Sequence, residues 1–307
     1  GLDYLTGYAF DGRVITLKVG DENAAYSTFT TVLIAGISQA AFEWEQVSIR
    51  LRDRITDLQK KKIQSLYYNG TNDNVTYFID GGADLKDTQK PLIFGRVTNV
   101  TPVLINASFL LYQISSGALA EIVNVFDKGT YLARGTDYAN STLLRQSTPA
   151  SGAFNTCLAE GMIKLGTSPI GTITVTAWEY KTVEQNTVAQ NVYRIITGVG
   201  GFSPSDTVAN DYTLLDSQNA ANIGLVCTAD MMVADVLDQL CESIGAFWGF
   251  DNINRFRVIR LDAPTSTSVV DFDFANIMGE PQLESVNASS SSNVINLDVR
   301  NQQNTAS

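Results

Sequence analysis

Histidine is missing from all 307 residues. Without an imidazole the chain can build no Ser-His-Asp or Cys-His nucleophile, no HExxH zinc site and no proton shuttle whose unperturbed pKa lies near neutrality. Cysteine is almost missing too. Cys157, Cys227 and Cys241 are scattered and form no CxxC pair, so they read as small buried hydrophobes instead of a disulfide framework or a zinc site. Charged residues are few, 17% against 44% hydrophobic, which excludes the low-hydrophobicity, high-charge signature of disorder. Cations are outnumbered, 21 against 32 carboxylates, for a net charge of −11. A surface that coats nucleic acid needs the opposite balance. Long hydrophobic runs are also lacking: Val103–Ile114 is broken by Asn106, Ser108 and Gln113, and the start carries no basic-then-apolar leader. Neither a membrane span nor a signal peptide is expected.

What is present alternates. Ile15, Leu17 and Val19 share one face of a strand, and Val47, Ile49 and Leu51 repeat the pattern against Ser48, Arg50 and Arg52. Further strands are expected at 92–97, 102–105, 110–114, 122–126 and 171–180, with Asp127-Lys128-Gly129 as a tight turn. Helical spacing predicts a short helix over 55–66 and a second over 186–197, stopped by Gly198. A third carries the stripe Met232, Val233, Val236, Leu237, Leu240 and Ile244, capped by Thr228 and stopped by Gly245. After it, 247–250 and 256–259 read as a hairpin around Asp251-Asn252-Ile253-Asn254. The period shifts from β to helical near Tyr180. The chain opens on Gly1 and closes on the polar runs 289–293 and 301–307, which reads as a piece of something longer.

Several patterns invite a chemical reading. Gly198-Val199-Gly200-Gly201 follows a helix where a phosphate loop would precede one, so it is expected to be an exit loop. Glu43 and Glu45 flank Trp44, an arrangement that occurs in sugar-cleaving sites and on any polar strand face. Asp251, Asn252 and Asn254 lack the glycine and distal glutamate of a calcium loop and fit turn chemistry. Six Asn-x-Ser/Thr sequons, at Asn69, Asn74, Asn99, Asn106, Asn140 and Asn287, follow from an Asn- and Thr-rich composition. No catalytic, metal-binding or cofactor-binding set emerges. The sharper feature is basic: Arg50, Arg52 and Arg54 on one expected strand face, then Lys60, Lys61 and Lys62. With Asp53 and Asp57 counted, residues 50–62 carry +4 and the rest of the chain −15. Such a face is either solvated, or docked on an acidic surface such as a neighbouring copy, or a small nucleic-acid patch.

The stretch Lys90-Pro91-Leu92-Ile93-Phe94-Gly95-Arg96-Val97-Thr98-Asn99-Val100-Thr101-Pro102-Val103-Leu104, with Leu111-Tyr112-Gln113 and Val125–Gly129, resembles tail proteins of tailed bacteriophages and prophages. Val236–Leu240, Gly245–Phe250 and Arg255–Val258 are similar to baseplate hub or tail-tip hub proteins, and Phe10–Val14 and Ile49–Arg54 fit the same picture. The resemblance touches most of residues 8–262 and carries no catalytic signature. It implies an α+β, mainly β chain with β-barrel-like, tail-tube-type domains and a smaller helix-plus-hairpin α/β domain. The expected division is a β-barrel-like tube-type domain at 1–90, a second β-rich region at 91–180, a helix-and-hairpin domain at 181–275 and a polar extension at 276–307.

The resemblance further implies a structural subunit of the phage tail, located in the virion: a homo-oligomer, as a trimeric ring, that joins the tail tube to the tip or spike and surrounds the channel through which DNA passes in transit. Subunit or partner contacts are expected from Arg50, Arg52, Arg54, Lys60, Lys61, Lys62, Phe247, Trp248 and Phe250. The rival readings are a receptor- or glycan-binding module with Phe247–Phe250 as its platform, and a carboxylate-based wall hydrolase using Glu43 or Glu45. The missing histidines fit a part without acid–base work, and surplus carboxylates lining a channel would let a duplex pass without sticking.

Overall fold

The computed structural model describes residues 9–42, 47–71, 79–228 and 230–262. Contacts gather residues 1–261 into one compact unit. The chain is α+β and mainly β. Its first strands are β1 (Val14–Val19), β2 (Thr30–Phe42) and β3 (Val47–Arg52), followed by α1 (Ile55–Lys60). Next come β4 (Leu92–Val100), β5 (Val103–Asn106), β6 (Leu111–Gln113), β7 (Glu121–Asp127), β8 (Thr130–Tyr131), β9 (Ala133–Asp137) and α2 (Ser141–Gln146). Then follow β10 (Ala153–Cys157), β11 (Met162–Leu165) and β12 (Ile173–Trp178), and after them α3 (Val188–Thr197), α4 (Ala209–Gln218), β13 (Gly224–Cys227), α5 (Val233–Glu242) and the hairpin β14 (Ala246–Phe250) and β15 (Phe256–Arg260).

The strands form four sheets, ordered β1-β2-β3, β5-β6-β11-β10-β9, β13-β4-β12-β7-β8 and β14-β15, and none closes into a barrel. The two five-stranded sheets share a core. Ile93 and Val97 of β4, Ile122 and Val125 of β7, and Ile173, Val175 and Ala177 of β12 meet Tyr112 of β6, Phe154 of β10, and Ile163 and Leu165 of β11. Alternation then sends Leu111, Cys157 and Met162 to the outer face of the second sheet, where Tyr68 and Leu144 of α2 cover them. A third core lies between α3, α5 and the hairpin, and Phe94 of β4 enters it.

β4 is thus buried on both sides, Ile93 toward one core and Phe94 toward another. Its pairing with β13 is unusually close at Gly95 and Gly224, which stand opposite each other. A Cβ on Gly95 would lie 2.2 Å from the Ile223 carbonyl oxygen, and one on Gly224 would lie 2.0 Å from that of Arg96. Gly95 also has φ +72°, in the region other residues avoid.

Several expectations change in detail. The first helix stops at Lys60 because the next residues pair with the segment before α5: Ile63 N–H donates to the Met231 carbonyl at 2.9 Å, and Val233 N–H to that of Lys61 at 2.8 Å. Thr228 does not cap α5; the helix starts after Met232, whose N–H donates to the Asp235 carboxylate at 3.0 Å. The strand expected to carry Arg50, Arg52 and Arg54 ends at Arg52, and Arg54 has helical backbone angles at the start of α1. The longest strand, β2, went unread. Register shifts opposite Leu17/Lys18 and between Ile37 and Gln39 break its period of two. The hairpin and the 127–129 turn form as read, with Lys128 and Gly129 at φ 48° and 83°.

Gly95→Ala is expected to lower stability by about 1–3 kcal/mol from the φ strain alone, and further from the clash. Gly129→Ala, with similar φ and open space around it, should lose only the first part. Urea melts giving equal losses for the two would remove the close-approach argument.

Candidate assembly surface

The basic segment and the aromatic hairpin, far apart in sequence, come together in the structure as one row of stacked groups. The Arg54 guanidinium lies 3.9 Å from the centre of the Phe202 ring. Phe202 stacks on Phe250 at 5.4 Å, Phe250 meets Phe256 edge-on at 5.7 Å, and Phe256 stacks on Trp248 at 5.9 Å. Arg54 also faces Asp206 at 3.8 Å, and Trp248 Nε1–H donates to Asp238 at 2.7 Å. Strand alternation turns Trp248 and Phe250 toward the helical core and leaves Phe247 outside, 58% exposed. Phe247–Phe250 is therefore not a flat aromatic platform.

Two lysines are also engaged within the chain. Lys61 Nζ donates to the Gly200 carbonyl at 3.0 Å, fastening the glycine exit loop of α3. Lys62 Nζ donates to the Tyr67 hydroxyl at 2.7 Å and to Asp230 at 3.0 Å, and hydrogen bonding to these two partners raises its pKa and lowers that of Asp230. Lys60 ends α1 in solvent. Among the described residues no ion pair forms at Arg50, Arg52 or Lys60.

Arg50 and Arg52 belong to a sheet with two different faces. The register pairs Val14 with Gly36 and Leu17 with Leu33 on one side of β2, and Leu51 with Ile37, Arg50 with Gln39 and Ile49 with Ala40 on the other. One face consequently gathers Ile15, Leu17, Val19, Leu33, Ala35, Ile37, Ala40, Phe42, Val47, Ile49 and Leu51, with Thr30 opposite Val19 at its end. The opposite face gathers Val14, Thr16, Lys18, Ile34, Gln39, Ala41, Ser48, Arg50 and Arg52 and, among the described residues, holds no carboxylate. Ala35 and Ile37 are buried, and Phe10 packs 5.5 Å from Phe42. Leu17 and Val19 nevertheless expose 53% and 59%, and Val47, Ile49 and Leu51 expose 38%, 40% and 42%. None of these residues joins the three cores. The outer edges of β1 and β3 pair with no further strand among the described residues. A contiguous apolar face beside open strand edges marks a surface made to be covered.

Sequence reasoning found the alternation of β1 and β3 but read each strand as half-buried. That their apolar sides fall on one face needed the pairing with β2.

Glu43, Trp44 and Glu45 lie outside the described residues. Asp251 is a turn residue, accepting from the Ile253 and Arg255 amides at 3.1 and 2.9 Å. A shallow groove between 108–110, 147–149 and 164–166 has Lys164 on its rim, with its ammonium donating to the carbonyls of Arg145 and Ser147. Among the described residues no group of His, Cys, Asp and Glu could hold a metal ion, and no helix is long and apolar enough to cross a membrane. Burial pushes the thiols of Cys157 and Cys227 up to about 11 and that of Cys241 to about 12. Compared with family models, curated proteins and solved structures, the chain matches none.

Two outcomes follow. Arg54→Ala is expected to destabilise the protein by about 0.5–1 kcal/mol through the lost stack, whereas Lys60→Ala should stay within about 0.5 kcal/mol; equal midpoints in urea would remove the role given to the stack. The three thiols, held protonated and out of solvent, should resist iodoacetamide at pH 8 in the folded protein and react once it is unfolded. Mass spectrometry showing fast labelling of the native chain would contradict that burial.

Proposed function

We propose that this chain is a structural subunit of a bacteriophage tail, a hub or tail-tip ring component that joins the tail tube to the tip and surrounds the DNA-ejection channel. The observation that carries this reading is the apolar face of the β1-β2-β3 sheet. Eleven apolar positions share one side of a three-stranded sheet, five of them substantially exposed, and the outer edges of β1 and β3 pair with no further strand among the described residues. Three strands alone gain little stability unless such a face is packed. A repeating assembly supplies the missing layer from the next copy.

In this reading the open sheets reach a β-barrel-like, tail-tube-type arrangement only in the assembled ring, a trimer of identical chains within the virion. Its other partners are tail proteins of the tube, the distal tail and the tip or spike. DNA meets it in transit, and an acidic wall facing the channel would repel phosphate and hinder sticking. The chemistry asked of the chain is small, which suits its lack of histidine.

The test is assembly state. Native mass spectrometry and sedimentation of the full chain, together with its recovery from tail particles, should give a closed oligomer. A monomer at every concentration that never accompanies tails would overturn the proposal. Leu17→Ser combined with Ile49→Ser should abolish the oligomer while changing monomer stability by about 1 kcal/mol or less, because both side chains are already partly in water.

A further inference from the structure

The other face of the same sheet is where charge and geometry point beyond oligomerisation in general. Arg50 is exposed, Arg52 half-buried, and no acid shares their face among the described residues. On a chain whose net charge outside residues 50–62 is −15, this is an isolated attractor for carboxylates. The complementary feature stands on α5. Its inner side, with Val233, Val236, Leu237 and Leu240, is in the helical core, so its outer side presents Asp235, Asp238, Gln239 and Glu242 to solvent.

Two of these carboxylates are held in place. Asp238 accepts from the Trp248 indole, and Asp235 accepts from the Met232 amide at the helix start. Asp235 and Asp238 therefore lose less side-chain freedom on binding than free carboxylates would. Spacing agrees as well. Arg50 and Arg52, two residues apart on a strand, are separated by about 6.7 Å. Asp238 and Glu242, four apart on a helix, are separated by about 6 Å. Each guanidinium can meet one carboxylate.

We propose that the Arg50/Arg52 face of one copy docks on the Asp238/Glu242 stripe of α5 in the next copy. The two patches are different surfaces of the same chain, so the contact is head-to-tail, and repeating it gives either a closed ring or an open filament. It rests on the reading that copies of this chain assemble, and it adds which surfaces meet. The acidic background makes other approaches repulsive, so the charge pair sets orientation, and the apolar side of the sheet, which points the other way, takes no part in this contact.

Charge reversal tests this on the full chain. Arg50→Glu with Arg52→Glu, and separately Gln239→Lys with Glu242→Lys, should each weaken self-association at least tenfold by sedimentation at low salt, with unchanged circular dichroism melts. Neither pair touches the carboxylates that cap α5 or bind Trp248. Combining all four substitutions in one chain sets the new glutamates against a stripe in which the two introduced lysines offset the retained Asp235 and Asp238, removes the like-charge clash of either double variant and should recover part of the oligomer, and added salt should weaken the wild type. If the two double variants assemble like wild type while Leu17→Ser/Ile49→Ser does not, this contact is wrong and the ring reading survives. If the fourfold variant folds but associates no better than the two double variants, the contact is likewise wrong. A wild-type chain that is monomeric throughout overturns both.

Discussion

The fold depends on β4 being apolar on both faces. Ile93 and Val97 close the core between the two five-stranded sheets, while Phe94 inserts among α3, α5 and the hairpin. A strand with one polar face would leave one of those cores open to water. The demand is passed to its partner: Leu225 and Val226 of β13 divide in the same way. Where the two strands face each other at Gly95 and Gly224, neither backbone leaves room for a Cβ. The link between the β part and the helical part is therefore one strand pair with little tolerance for added atoms.

Much of this was legible in the residues. The strands read at 92–97 and 122–126 fall inside β4 and β7, the one read at 171–180 contains β12, and the stripe of α5 points into the core as its spacing required. What could not be read has physical causes. β2 carries apolar residues on both sides and two register shifts, so no period stands out. α4 lacks an apolar stripe; Tyr212 and Leu215 are buried beside Asp211, which Arg257 pairs through both its carboxylate oxygens. α2 is six residues long and depends on Asn140 accepting from the Leu143 amide. In each case a tertiary contact replaces the local pattern.

The candidate surface was legible in a different way. The run of six cations was visible, but composition could not say that Arg54, Lys61 and Lys62 serve the chain's own packing while Arg50 and Arg52 remain unpaired among the described residues. Nor could it say that the aromatic hairpin turns its larger ring inward. Burial decides between the roles of identical side chains, and burial follows from pairings between residues tens of positions apart.

The row of rings from Arg54 to Trp248 has a mechanical consequence. It begins one residue beyond Asp53, just past the end of β3, and ends on the Trp248–Asp238 hydrogen bond at α5. Force applied to the sheet's β3 end would run along stacked aromatic rings into the helix that faces the proposed neighbour, and stacked rings yield little under compression. In a ring built by the contact between these two ends, each subunit would act as a stiff strut between its neighbours, and strain at one joint would be shared around the circle.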